Sequence, residues 1–517
     1  MKPKFFLIAI LLIAVSIPAI YQIITPGYFP IHDDTQVIRV QQMYKSLSAG
    51  QFPVRWVPDL GYGYGYPIFN FYNPLPYYFG SSFMFFGLDA LLAAKIMFIF
   101  PIILSSLTMY LFSRLLLPRR GALLAASLYV YAPYHAVQIY VRGAVAEYWA
   151  YAILPLVLYA IWKRKIFLTG LSLAALITSH NLTAFMSIPF IGILMIIQLI
   201  KMKNKLLFLI SYFLFLIFGL GLSAFFWLPA LTESNKTQVS QMVFEQFDPP
   251  AKHLITFNQL WTSSWGYGGS SPGTDDGLSL QLGKVHLLGG FAAIVILLYC
   301  YIVKKRSTVQ QFLAKGQSAF GGNNLTIFST ISFVVSICLL LPYSTITWKS
   351  IPILAYIQFP WRFLTFASLF SSILAAWVIW KTIKVITNIT NINLLRYFLL
   401  LTSYFLLLTS SFKFFQPQFK YPTSVAELTS RERILWEVSR RSDEYLPIGF
   451  IRPNSLEEAL RVGNPVNQAL VDKIKQPTKI RSVANFISLL TLTALLAYAV
   501  RWKLKQTSNC KFAKHIV

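Results

Sequence analysis

Apolar runs of about twenty residues recur along this chain, and no other feature constrains its fold as tightly. Wound as a helix, such a run crosses the hydrocarbon core of a bilayer with its backbone hydrogen bonds satisfied internally. Twelve are read, at 5–25, 89–112, 121–139, 148–162, 166–179, 182–200, 206–230, 286–303, 325–343, 362–380, 396–412 and 481–500. The fourth and fifth are short for a span. Of 517 residues, 56% are hydrophobic and 12% charged, against about 25% charged in soluble domains. Mean hydropathy is +0.57. The expected fold is an all-α polytopic membrane protein, with the first run retained because no small-x-small cleavage pattern follows it.

The formal net charge of +27 invites a nucleic-acid partner, but the basic residues sit in short clusters between apolar runs. Lys2 and Lys4, Arg119 and Arg120, Lys163 to Lys165, Lys201 to Lys205, Lys304 to Arg306 and the tail from Arg501 all fall on one side of an alternating chain. The short loops of the other side hold only Arg142, Lys349 and Arg362. This is the positive-inside pattern. It predicts cytoplasmic termini in the cell membrane and no nucleic-acid partner. Cys300, Cys338 and Cys510 are scattered and point to neither a disulfide nor a metal site.

Three long segments then fall outside: 26–88, 231–285 and 413–480. The expected organisation is a transmembrane core over 1–412, an extracytoplasmic polar segment over 413–480, and a last span with a basic tail over 481–517. The first outer loop opens with His32-Asp33-Asp34. Behind it Val37, Ile38, Val40, Met43, Tyr44 and Leu47 mark one face of a helix lying along the membrane surface. Asp33 with Gln36 fits a capping box. A carboxylate there also suits proton abstraction or a divalent cation. The following stretch, Asp59 to Gly80, is too rich in Gly and Pro for a span. Its Tyr62, Tyr64, Tyr66, Asn70 and Tyr72, with His32, form a candidate substrate platform. Adjacent carboxylates beside aromatics at a membrane surface point to chemistry on a polar substrate carried by a lipid.

A single span followed by a large outer loop that opens with an acidic pair resembles the GT-C superfamily of membrane glycosyltransferases. More narrowly, HDDTQVIRV, FPVRWVPDLGYGYGYPIFNFYNPLPYY, RGAVAEYWA, SHNLTA, FFWLPAL and QFPWRFL are similar to a prokaryotic family of multi-spanning proteins labelled 6-pyruvoyl-tetrahydropterin synthase-related. The label does not bring pterin chemistry with it. The six histidines, His32, His135, His180, His253, His286 and His515, include no closely spaced pair for a zinc site. The superfamily resemblance implies inverting sugar transfer from a polyprenyl-phosphate-linked donor to an extracytoplasmic glycan, lipid or protein acceptor. An acidic first-loop residue would be base or metal ligand; Asp33 matches that position best and Asp34 second. A divalent cation is an optional cofactor.

Such a donor needs cationic partners for its phosphate, and Arg142 and Arg362 are the candidates because the guanidinium fork matches phosphate oxygens. Glu147, five residues from Arg142, His180 and Glu233 are accessory candidates on the same side. The competing class is a transporter or lipid flippase. The spans are nearly free of ionisable residues apart from Lys95, whereas ion-coupled transport places them at mid-membrane. No Walker motif is present.

Overall fold

The computed structural model describes residues 3–239, 249–305, 324–390 and 392–514. Nearly all of the stretch 304–324, His515 and part of the 231–285 segment lie outside these residues. Every apolar run carries helix, but the expected count of twelve spans is not reached. Among the described residues nine helices are long and apolar enough to cross a membrane, or ten if the bent pair Asn324–Leu340 and Pro342–Ser350 is one span. That pair turns by 80° at Pro342. The third run stops as Arg119–Val130, because Ala132 before Pro133 is extended (ψ 131°) and a proline disfavours helix in the residue ahead of it. The chain resumes through the turn Pro133–Ala136 and a wide helical turn, Val137–Arg142. The fifth run, Ile166–Ser179, is also short.

Two helices form the centre. In Val145–Trp162 and in Pro360–Thr390, 83% of the most apolar window is buried, against 11% in Pro465–Arg501. Val145–Trp162 packs between Ala90–Ser113 and Ile166–Ser179, while Leu364–Thr390 packs on Lys284–Lys305, Asn324–Leu340 and Arg119–Val130. Lys205–Glu233 sits further out, between Ile166–Ser179 and Lys479–Lys514. The peripheral helices turn Phe213, Leu216, Phe486, Leu489 and Leu490 outward, as expected where the surrounding solvent is lipid.

The three long segments gather at one end, hereafter the loop face. Isolated bridges join Tyr28 to Tyr421 and Thr237 to Pro447, and the Gln238 N–H donates to the Leu446 carbonyl at 3.0 Å. The first segment forms the helix Gln36–Ser48, buried on both sides. Its apolar Val37, Ile38, Val40 and Met43 face the core, but Gln36, Arg39, Gln42 and Ser46 are buried too. Arg39 meets Ser442 of the 413–480 segment, and Gln36, Gln42 and Ser46 meet Tyr77, Asp59 and Trp56 of the first loop, so this helix is not a bare interfacial one.

Candidate active site

One close approach sets the site. Gly143 ends the wide turn with φ 63°, and a Cβ there would lie 2.4 Å from Ile31 Cδ1. The absence of a side chain lets the first loop rest directly on the turn. The His32 N–H donates to the Val141 carbonyl at 3.0 Å and the Asp33 N–H to the Arg142 carbonyl at 2.9 Å. Gln36 closes the seam, its Nε2 donating to the Gly143 carbonyl at 2.9 Å and the Asp33 carbonyl at 3.1 Å. The expected capping box is therefore not formed: Thr35 is the residue at the helix start, with no side-chain cap, and Gln36 is engaged across the seam. Asp33 is left with a fixed backbone and an exposed carboxylate. That carboxylate has no hydrogen-bond or ion-pair partner among the described residues. Its charge acts on Tyr72, Tyr77, Arg142 and Arg362.

Both predicted arginines stand beside it. Arg142 Nη1 donates to Glu147 Oε2 at 2.8 Å and reaches the Tyr134 hydroxyl at 3.4 Å, with its guanidinium 4.7 Å from the Trp361 ring centroid. Arg362 lies with Nε 3.7 Å from the same Glu147 oxygen. Its Nη1 donates to the Ile357 carbonyl at 2.9 Å and its Nη2 to Gln358 Oε1 at 3.2 Å. Glu147, 2% exposed, also accepts from the Tyr134 hydroxyl at 2.5 Å and from Gln138 Nε2 at 3.1 Å. Two guanidiniums thus share one carboxylate, which leaves one positive charge in excess. Arg362 Nε is buried without a hydrogen-bond acceptor, and Arg142 uses only Nη1 among the described residues. Burial works against the charge of Arg142, but Glu147, Tyr134 and Asp33 outweigh it and hold its pKa above the ordinary value.

His180 caps the helix Asn181–Met186. Its Nδ1 accepts from the Thr183 N–H at 3.2 Å and pairs with Thr183 Oγ1 at 2.7 Å. Burial, reinforced by Arg362 and Arg142 against Glu147, pushes its pKa down to about 3, so the ring is neutral at ordinary pH.

The other predicted residues are placed elsewhere or engaged. Asp34, one position from Asp33, accepts from the Tyr28 hydroxyl and from Arg433 Nη2, each at 2.5 Å, with Arg441 Nη1 3.7 Å away. It anchors the 413–480 segment. His32 lies over Gly269 of the second long segment. Tyr62 and Tyr66 are buried under the 413–480 segment. The Tyr62 hydroxyl donates to Asp443 Oδ2 at 3.3 Å, and the Tyr66 hydroxyl accepts from the Tyr445 N–H at 3.0 Å. Tyr64 is clamped by the Gly463 and Asn464 N–H groups. Only Tyr72 stays near the Asp33 cluster, under the guanidinium of Arg39 at 4.5 Å. Asn70 donates to Glu233 Oε2 at 2.9 Å. Glu233 belongs to a second cluster, with Arg481 Nε and Nη2 at 2.9 and 2.8 Å and the Thr478 hydroxyl at 2.6 Å. The Thr274-Asp275-Asp276 turn staples its own loop, Asp276 accepting from Ser270 Oγ and Gln259 Nε2.

Residues that sequence reasoning passed over include Arg39, Tyr134, Gln138, Arg433 and Arg441. Tyr134 and Gln138 lay within an apolar run, and Glu147, to which both donate, stands in another helix beyond the Gly143 turn. The arginines of the 413–480 segment carried no local signal. The described residues show no ready-made site for the optional divalent cation. Among the described residues no three His, Cys, Asp or Glu side chains converge, Asp34 is neutralised by arginine, and the groups nearest Asp33 are cationic.

No curated protein matches the sequence. The structure is similar to the Archaeoglobus fulgidus oligosaccharyltransferase in its apo form, with TM-score 0.49 and 13% identity over 93% of this chain and 61% of that one. The oligosaccharyltransferase AglB of the same organism, in complex with an inhibitory peptide and a dolichol-phosphate, gives TM-score 0.47 and 13% identity over 93% and 61%. The mycobacterial arabinofuranosyltransferase AftD gives 0.41 and 11% over 80% and 27%. The chain thus spans about three-fifths of the first two and about a quarter of the third. Residues 69–272, which include Arg142, Glu147, His180 and Glu233 but not Asp33 or Arg362, match the family described as 6-pyruvoyl-tetrahydropterin synthase related domain, membrane protein, the narrow family that the sequence motifs resemble.

Proposed function

We propose that this protein is a GT-C-type membrane glycosyltransferase that moves a sugar from a polyprenyl-phosphate-linked donor to an extracytoplasmic acceptor. One observation carries the reading: the exposed, unpartnered carboxylate of Asp33 stands beside two buried guanidiniums that share a single counter-charge. A free base next to an incompletely neutralised cationic seat is what proton abstraction coupled to departure of a phosphate requires.

In the proposed reaction the donor enters laterally from the outer leaflet, its phosphate held by Arg142 and Arg362. Asp33 takes the proton of an acceptor hydroxyl, and the oxygen attacks the anomeric carbon in line. The bond from that carbon to the phosphate oxygen breaks with inversion, and the polyprenyl phosphate leaves with the bonding pair, stabilised by both arginines. Glu147 orients the two guanidiniums. Asp34, held by Arg433, has no part in proton transfer and keeps the covering segment in place. His180 is neutral and structural. No step is routed through a metal ion.

The test is sugar transfer in membranes holding matched amounts of wild type, Asp33→Asn or Asp34→Asn, with the host's polyprenyl-linked sugars as donor pool. Asp33→Asn is expected to lower turnover by about 10²–10⁴-fold, the usual worth of a positioned base. Asp34→Asn is expected to act mainly on stability. Equal transfer by wild type and Asp33→Asn would remove the base, and a wild type that only moves lipid-linked sugar across vesicles would replace the enzyme with a flippase.

A further inference from the structure

A cavity of about 290 Å³ opens on the loop face, and its walls share no residue with the Asp33 cluster. It lies where the Gly61–Gly65 turn meets the helix Leu456–Leu460 and the start of the helix Pro465–Lys475. Tyr62, Tyr64 and Val462 supply its apolar side. Tyr62 stacks on Phe450 with centroids 6.1 Å apart, and Tyr64 meets the same ring edge-on at 5.6 Å. The Tyr64 hydroxyl accepts from the Gly463 and Asn464 N–H groups at 3.0 and 2.7 Å. The ring is therefore held at both ends and cannot swing away.

The rim is polar and has hydrogen-bonding capacity left over. Glu458 accepts from Asn454 through Oε2, so its Oε1 is open among the described residues. Asn464 uses its side-chain oxygen to cap the next helix, at 2.9 Å from the Val466 N–H, and its amide N–H groups remain. Arg461 engages Glu457 through Nη2 alone. An immobilised aromatic face, an open carboxylate, an amide and a guanidinium form the donor and acceptor mix that a sugar ring satisfies. Its C–H face packs on the aromatic ring while each hydroxyl both donates and accepts. The volume is just under the range of about 300–1,000 Å³ for small-ligand sites, enough for one ring and not for an extended peptide. Opposite charges at Glu458 and Arg461 favour a neutral ring.

We infer that this cavity is a saccharide-binding subsite that takes one neutral sugar residue of a glycan acceptor. That the glycan is the acceptor rests on the transfer reaction proposed above; that a sugar binds does not.

The full-length protein in nanodiscs would be titrated with methyl glycosides of hexoses, pentoses and N-acetylhexosamines, followed by saturation-transfer NMR. At least one glycoside should bind, and Glu458→Gln combined with Arg461→Ala, both exposed, should weaken it about tenfold or more, as loss of charged hydrogen bonds does. Asp33→Asn should leave that binding unchanged. Tyr64→Phe, which keeps the ring but frees its tip, should weaken it less than the rim pair. The subsite is overturned if no glycoside in the panel binds, if the rim variant binds like wild type, or if short peptides occupy the cavity and glycosides do not. Rim-dependent binding in a protein that transfers no sugar would uphold the subsite and remove the proposed reaction. Transfer without rim-dependent binding would do the opposite.

Discussion

Two glutamates at helix ends on the loop face, Glu147 and Glu233, are 2% and 1% exposed, and each is held by arginine. Glu233 receives both Nε and Nη2 of Arg481 and the Asn70 amide on Oε2, and the Thr478 hydroxyl on Oε1. That cluster rivets the first loop and the Lys205–Glu233 helix to the last helix. Glu147 is shared between Arg142 and Arg362, and Arg362 Nε finds no hydrogen-bond acceptor. Both carboxylates are buried; the difference is capacity left unsatisfied. A satisfied buried ion pair specifies packing, whereas a surplus cation beside a free carboxylate is arranged for something that arrives.

The widest separation between the clusters should come from removing each glutamate. Glu147→Ala and Glu233→Ala each strand buried arginine and should cost about 3–5 kcal/mol of stability, read as a lower thermal midpoint in detergent. Added polyprenyl phosphate should raise the midpoint of the Glu147 variant by supplying the missing anion and leave that of the Glu233 variant unchanged. Equal rescue of both, or of neither, would erase the distinction.

A smaller effect is expected from exchanging arginine for lysine, which keeps the charge and loses the fork. Arg362→Lys should raise the KM for donor by about 10–100-fold, the equivalent of one charged hydrogen bond. Arg481→Lys should leave KM alone in the folded fraction. The outcome that breaks the comparison is a KM change at Arg481 as large as that at Arg362.

A third effect concerns acidity. His180 is held neutral, with its pKa pushed down to about 3, whereas an unfolded histidine titrates at roughly 6.5. The unfolded chain therefore binds the extra proton first. The stability from this site is present above the unfolded value and is lost as pH falls from there toward 3. Thermal midpoints measured between pH 7 and 4 should decline less steeply in His180→Asn, which keeps a capping oxygen, than in the wild type. A parallel decline in both would assign the acid sensitivity to other groups.

Much of the molecule was legible before any coordinates. Hydropathy located every helix-bearing run, since a membrane-spanning helix is written in contiguous residues. Its failures were also local: Pro133 and Pro342 break two runs whose apolarity alone reads as continuous. Arg142 and Glu147, five residues apart in the sequence, meet across the left-handed turn at Gly143 and not along one helix. The roles of Asp33 and Asp34 were not separable, because the arginine that claims Asp34 lies 399 positions away. The placement of the tyrosine-rich stretch was not legible for a related reason. Aromatic side chains suit a substrate face and a buried seat equally well, and the 413–480 segment that buries Tyr62 and Tyr66 had no local signature.

The amino-acid sequence by itself determined an all-helical chain dense in membrane-length runs, three long polar segments, and the residues able to do chemistry. These properties depend on composition and on neighbours within a few turns. Only the tertiary structure decided which carboxylate stays free, which glutamate is a rivet, and which aromatics are covered. Each of those depends on whether a distant segment brings a partner to satisfy a charge, and the energy of that pairing is set by distance and burial in space, not by separation along the chain.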